Sequence, residues 1–391
     1  MTTIALVAGE TSGDKLGASL IHALRERMPH AKFVGVGGSH MRAAGCECLY
    51  GYDDLSVIGL VEGLKALPKV WRLKRRLMRY FKQNKPDIFV GIDATEFNIS
   101  LELSLKKLGV KTVHYKSPSI WAWRPKRIHK IKRAVDLMLT LFPFEVELYH
   151  RVGMDAQCVG HPLADKVPDN INKETARLAL KLDPNKPVLG LLPGSRSQEV
   201  TKLIAPFLAA AKRCCDAIPD LQCVVPAATP ERRVEIDEAL SACGLEVKCV
   251  DERSTHVMAA ADVILVASGT ATLEAAFMKC PMVVAYKLSS LSFHILKYLV
   301  KTPYVALPNI LAGRQLVPEL IQDAATPEAM AAHVLDYFND EAKRDALIVE
   351  LSKIHQDLKR DASEIAARAI VNCMSENNKH HDTTATYCGD R

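Results

Sequence analysis

The chain has 391 residues, too many for one hydrophobic core and enough for two. Its 48% hydrophobic and 25% charged residues exclude a disordered or fibrous chain, and no apolar run approaches the ~18 residues of a membrane span. A net charge of +6 is too mild to choose among nucleic acid, lipid and nucleotide as partner. Eleven cysteines are scattered without a C-x-x-C pair or a matching histidine pattern, so reduced thiols and no metal site are expected. The first apolar run is too short, and lacks the basic flank, for a signal peptide.

Short β-branched runs alternate with helical periodicity. The first series of predicted strands covers 4–8, 32–36, 87–92, 112–115 and 136–141. A second covers 188–192, 222–226, 246–250, 263–267 and 282–286. Such alternation predicts parallel sheets covered by helices on both faces, and ligands outside the carboxyl ends of the strands. The polar stretch 165–187 reads as the interdomain connection.

The residues after each strand are therefore the candidates. Gly9-Glu10-Thr11-Ser12-Gly13-Asp14 permits a tight turn, and Ser12 or Asp14 would cap the next helix. It is not a dinucleotide fingerprint, and the carboxylates of Glu10 and Asp14 suit sugar hydroxyls better than phosphate. The stretch 60–82 is a basic amphipathic helix. Val61, Leu64, Leu67, Trp71, Met78 and Phe81 form its apolar stripe, and Arg72, Arg75 and Arg76 stand on the adjoining face. That one-sided charge fits an anionic lipid surface; a solvated core helix and a nucleic-acid surface are the alternatives. Pro68 is expected to break or kink the helix.

Asp93 follows an almost wholly apolar strand. Partial desolvation there would raise its pKa toward values useful to a general base; alternatively, it caps the following helix. After the strand at 112–115, the loop carrying Trp121 and Trp123 offers flat apolar faces to a sugar or acyl chain, or packs on its own domain. In Leu192-Pro193-Gly194-Ser195-Arg196 a strand, a Gly-Ser turn and a helix start make an anion site, with Arg196 shaped for pyrophosphate oxygens. The alternative is a capped turn. Ser268-Gly269-Thr270 repeats the arrangement, and Glu274, one turn on, could hold a ribose. Asn309, Glu319 and Gln322 could face the same site. No Asp-x-Asp occurs, so helix starts and Arg196 would stabilise a leaving diphosphate without a metal. Helical sequence fills roughly 327–374, and the polar tail 375–391 is expected to be disordered.

Taken in order, Gly9-Glu10-Thr11-Ser12-Gly13-Asp14, Gly91-Ile92-Asp93, Ser117-Pro118-Ser119-Ile120-Trp121-Ala122-Trp123-Arg124, Gly160-His161-Pro162, Leu192-Pro193-Gly194-Ser195-Arg196, Ser268-Gly269-Thr270 and Pro308-Asn309-Ile310-Leu311-Ala312-Gly313 resemble the motifs of bacterial lipid-A-disaccharide synthases. The resemblance runs from Met1 to about Met374. It implies an α/β chain of the GT-B class, two Rossmann-like doubly wound parallel-sheet domains facing a central cleft. Residues 1–165 would form an acceptor and membrane-facing domain, 166–345 a UDP-sugar domain, and 346–374 a C-terminal helical segment. It implies inverting transfer from UDP-2,3-diacylglucosamine to the 6-hydroxyl of 2,3-diacylglucosamine 1-phosphate (lipid X), giving a β-1,6 disaccharide and UDP, with no cofactor or metal.

Asp93 would be the base. Ser195, Arg196, Ser268, Gly269, Thr270 and Glu274 would hold the donor, and Glu10, Ser12 and Asp14 the acceptor. The enzyme would lie on the cytoplasmic face of the inner membrane, without nucleic acid, as a possible homodimer. The rivals are another GT-B enzyme using UDP-N-acetylglucosamine, whether a peptidoglycan glycosyltransferase or an epimerase, and a non-catalytic nucleotide sensor at the membrane.

Overall fold

The computed structural model describes residues 1–55, 60–288 and 302–382, with the side chains of 60–67, 123 and 376–382 outside that description. The chain divides into two compact units, Met1–Asp165 with Leu358–Arg391, and Lys166–Asp357.

The first unit begins with β1 (Thr3–Ala8), α1 (Thr11–Arg27), β2 (Lys32–Val36), α2 (Ser39–Ala43), β3 (Glu47–Tyr50), α3 (Leu60–Gln83), β4 (Ile88–Ile92) and α4 (Thr95–Lys106). It continues with β5 (Lys111–Tyr115), α5 (Ile120–Trp123), α6 (Ile128–Ala134), β6 (Leu137–Thr140), α7 (Pro143–His150) and β7 (Asp155–Cys158). The seven strands pair in parallel in the order β3-β2-β1-β4-β5-β6-β7. β4, and β1 from Ile4 onward, are wholly apolar because helices cover both faces. On one face Ile4, Leu6 and Ile88 pack with Leu20, Ile21 and Leu24 of α1. On the other, Ala5, Val7 and Phe89 meet Leu73, Leu77 and Phe81 of α3 and Leu101 of α4.

α8 (Pro162–Lys166) leads into the second unit, which carries α9 (Lys173–Ala179), β8 (Val188–Leu192), α10 (Ser197–Ala217), β9 (Gln222–Ala227), α11 (Pro230–Cys243), β10 (Val247–Asp251) and α12 (Ser254–Ala260). Then come β11 (Val263–Ala267), α13 (Thr270–Phe277), β12 (Met282–Tyr286), α14 (Leu307–Ala312), β13 (Glu319–Ile321), α15 (Pro327–Asn339) and α16 (Glu341–Leu358). Its parallel sheet runs β10-β9-β8-β11-β12-β13. The last helix, α17 (Ala362–Asp382), returns to the first unit, where Ala366, Ala367 and Ile370 pack in the α1 core.

Four sequence expectations change. The stretch 165–187 is more than a connection: it contains α9, whose buried Arg177 pairs with Asp262 at 2.7 Å and ties the segment to the second unit. The C-terminal helices are not one segment: α16 belongs to the second unit through Asp357, whereas α17 packs on the first. Asp165 fixes that return by accepting the amides of Arg360, Asp361 and Ala362 at 2.8–2.9 Å. α17 also runs beyond Ser375 to Asp382, because loss of the apolar repeat does not end a helix when no Gly or Pro interrupts it; residues 383–391 lie outside the described residues. Finally, Pro68 sits inside an unbroken α3.

Candidate active site

In both sheets the strand order reverses once, between β1 and β4 and between β8 and β11. At such a switch point neighbouring loops diverge to opposite faces and leave a crevice at the strand ends. Both candidate clusters lie at these points.

In the first unit, the turns after β1 and β4 touch. Asp93 and Ala94 have φ of 53° and 40°, the left-handed region that L-residues rarely adopt. Asn98 stabilises this turn. Its buried amide donates to Asp93 O at 2.8 Å and Val7 O at 3.1 Å, so one side chain ties β1 to the Asp93 turn. A Cβ on Gly9 would stand 2.3 Å from the Ala94 Cβ, so the first glycine of the Gly9–Asp14 motif is what lets this turn close. The Asp93 carboxylate is half-buried and forms an ion pair with Lys116, the residue after β5. Asn98 and Lys116 were not anticipated as site residues. An Asn one turn into a helix and a Lys after a strand carry no signal until the register of β4 and β5 brings them to Asp93.

The acceptor candidates separate. Glu10 and Ser12 are exposed at the same strand end. Asp14 is not available: it is 1% exposed, and its carboxylate accepts the amides of Gly38 and Met41 at 2.6 and 3.1 Å and of His40 at 3.0 Å, fixing the turn after β2. A carboxylate that binds three backbone amides is a structural group. Trp121 donates through Nε1 to Glu145 at 3.3 Å and meets Phe144 edge-on at 5.2 Å. Phe144 stacks on Phe142, and Phe142 on His161, giving an aromatic wall at the ends of β5–β7. Burial pushes the Glu145 carboxyl up to about 7 and, with the nearby charge of Lys116, pushes the His161 imidazole down to about 4. The Trp123 side chain lies outside the described residues.

In the second unit a cavity of about 530 Å³ opens at the ends of β8, β9, β10 and β11. Ser195, Arg196, Ser268, Gly269, Thr270 and Glu274 all line it, so two loops far apart in sequence meet. The start of α13 carries the positive end of the helix dipole, with the Thr272 amide already donating to Gly269 O at 3.1 Å. At α10 the structure shows the capped turn. The amides of Ser195 and Arg196 are bonded by Glu199 Oε2 at 3.1 and 3.3 Å, and the Arg196 guanidinium, 82% exposed, reaches Glu199 Oε1 at 3.2 Å. The turn is capped, and its cap is an anion in the place expected for one. Gly194, at φ 117°, is required because a Cβ there would lie 2.5 Å from that carboxylate. Burial raises the Glu274 pKa, marking it as the desolvated carboxyl of the cavity.

Asn309, Glu319 and Gln322 are not among the cavity-lining residues. Asn309 is fully buried, donates to Glu319 at 2.7 Å and Val317 O at 2.9 Å, and accepts the amides of Leu316 and Val317. Glu319 accepts the amides of Val305 and Ala306, and Gln322 that of Leu288. Their polar atoms stitch β13 to the preceding loops; sequence spacing could not distinguish that from ligand binding.

On α3 the expected apolar stripe divides. Phe81 is buried against the sheet with Met78 partly buried beside it, joined there by Leu73 and Leu77, which the stripe did not include, while Trp71 is 57% exposed with the Arg75 guanidinium over its ring at 4.5 Å. Arg72 and Arg76 are exposed beside it; the side chains of Val61, Leu64 and Leu67 lie outside the described residues. Among the described residues no helix is long and apolar enough to cross a membrane.

Two Rossmann-like parallel-sheet units of this kind define the GT-B class of glycosyltransferases. The chain is similar in fold to UDP-N-acetylglucosamine 2-epimerase from Neisseria meningitidis bound to UDP-N-acetylglucosamine (TM-score 0.63, 13% identity, covering 95% of this chain and 100% of that one). It is likewise similar to MurG of Acinetobacter baumannii (TM-score 0.58, 14% identity, 95% and 100% covered). At the level of sequence, the lipid-A-disaccharide synthetase family model matches residues 4–372. The chain is 48% identical to the lipid-A-disaccharide synthase of Sodalis glossinidius, over 94% of this chain and 97% of that protein. It is 47% identical to that of Pseudomonas putida strain F1, over 95% and 98%. The chain belongs to the lipid-A-disaccharide synthase family and is a glycosyltransferase of lipid A biosynthesis.

Proposed function

We propose that the enzyme transfers the 2,3-diacylglucosaminyl group of UDP-2,3-diacylglucosamine to the 6-hydroxyl of 2,3-diacylglucosamine 1-phosphate, lipid X, with inversion. The family match over residues 4–372 carries the reading, and the Asp93 turn and the cavity of the second unit supply its chemistry. Asp93 takes the proton of the 6-hydroxyl as that oxygen bonds to the donor's anomeric carbon. The bond from that carbon to the diphosphate breaks, and its electron pair leaves with UDP. The helix starts at Ser195 and Thr270 and the Arg196 guanidinium hold the charge that develops there. Glu199 would yield its place to the diphosphate, leaving Arg196 to pair with phosphate instead. Glu274 holds the ribose, and Glu10, Ser12 and the aromatic wall line the acceptor side.

Acyl-chain substrates give α3 its purpose. Trp71 with Arg72, Arg75 and Arg76 presents an aromatic ring among cations, the composition that seats a helix in an anionic lipid surface. We place the enzyme peripherally on the cytoplasmic face of the inner membrane, and take the homodimer implied by the family resemblance as part of the same proposal.

Incubation with both substrates should give UDP and a product whose mass is that of the tetra-acylated disaccharide 1-phosphate, with a β coupling constant at the new anomeric proton. Interconversion of the UDP-sugar without acceptor would favour an epimerase. Transfer only from UDP-N-acetylglucosamine would favour a peptidoglycan-type enzyme.

A further inference from the structure

The ion pair at Asp93 is not explained by proton transfer. A general base needs its carboxylate for the substrate hydroxyl, yet Lys116 occupies one of its oxygens. Ile92 and Tyr115 are paired in the sheet, so the next residues, Asp93 and Lys116, emerge side by side at the switch-point end. Lys116 is not an ordinary surface lysine. Its backbone sits at φ 80°, a conformation costly for a lysine, and its amide is held by Leu139 O at 3.0 Å. The fold therefore imposes this position. The side chain is 40% exposed, so its ammonium keeps donors for a further partner. Of the neighbouring groups, Glu96 pairs with Arg127 and Lys130, and the Asn98 amide nitrogen donates to backbone carbonyls. His161 is held neutral by burial and by the charge of Lys116 itself.

We propose that Lys116 recognises the phosphomonoester of the acceptor sugar and, by moving to it, releases the carboxylate of Asp93 for the 6-hydroxyl. This rests on the acceptor reading above. On a glucosamine 1-phosphate, the carbons bearing the phosphate and the 6-hydroxymethyl group both flank the ring oxygen. A cation and a carboxylate on adjacent strand ends match that pairing. A half-exposed ion pair is a weak lock, and a phosphate carrying more charge and more acceptor oxygens than a carboxylate outcompetes it. The phosphate of the correct acceptor thus makes the base available to that acceptor's hydroxyl. An uncharged sugar would leave the pair closed.

The test compares lipid X with its 1-dephosphorylated analogue as acceptors for the wild type, Lys116→Asn and Lys116→Arg. Asparagine tolerates the left-handed backbone, so the fold is retained. The ratio of kcat/KM for lipid X to that for the analogue should fall about tenfold or more in Lys116→Asn, chiefly through the KM of lipid X, and Lys116→Arg should restore most of it. A Lys116→Asn enzyme whose preference equals the wild type's overturns the assignment of Lys116 alone. A wild type that forms no disaccharide from either acceptor overturns the acceptor reading and this inference with it.

Discussion

Asp93 is held in place by residues that do no chemistry. Its left-handed turn is closed by contact between Gly9 and Ala94 and tied by Asn98. Gly9→Ala would drive two methyl carbons to 2.3 Å and push the Asp93 turn outward. Since ~1 Å of displacement at a reacting group costs about a hundredfold, turnover should fall by about that factor. UDP affinity, which the proposed donor site of the second unit would set, should hold; isothermal titration with UDP beside steady-state rates checks both. Glu145 gives a prediction with a definite sign. Its carboxyl is pushed from 4.5 to about 7 by burial, so between those values the folded protein keeps a proton that the unfolded chain has lost. Stability should fall as pH rises through that window and then level off. Glu145→Gln removes the titration, and its gain over the wild type should grow from pH 5 to pH 8, reaching about 1–3 kcal/mol in denaturant melts. Equal gains at both pH values would place the raised pKa elsewhere.

Among the elements, the legible ones were those with a continuous apolar run. The central strands β4, β8 and β11, and β1 from Ile4 onward, are apolar throughout because both faces are covered, and each reads directly from the sequence. The three strands not anticipated, β3, β7 and β13, are all short edge strands, and an edge does not demand such a run. The same limit applies to the site. The loops were legible because they follow strands at predictable places, but the sequence does not say which polar side chain turns inward. Asp14 and Asn309 looked like ligand groups and are engaged by the backbone, whereas nothing in the sequence marked Asn98 and Lys116 as neighbours of Asp93. Two elements carry predictions. Asp165→Ala leaves three amides of the α17 start without their acceptor and should cost about 1–2 kcal/mol, read as a lower melting temperature. Reversing charge at Arg72, Arg75 and Arg76 together should abolish sedimentation with anionic vesicles while leaving the fold intact, since all three are exposed. Undiminished co-sedimentation would mean that another surface meets the membrane.

At the scale of the whole molecule, two sheets built on the same plan carry opposite chemistry at the same topological place. The first presents a carboxylate, held by strain and a neighbouring cation, at its switch point. The second presents helix starts, an arginine and a cavity. A transferase needs both, a base for the incoming oxygen and a cationic seat for the departing diphosphate, and the proposed mechanism draws one from each unit. Asp93→Asn tests that division most directly, with UDP affinity and single-turnover disaccharide formation measured on the same preparation. The dissociation constant for UDP should stay within about twofold of the wild type while the rate falls by about a hundredfold to ten-thousandfold. A near-normal rate, or a loss of UDP binding that matches the loss of rate, would contradict that division.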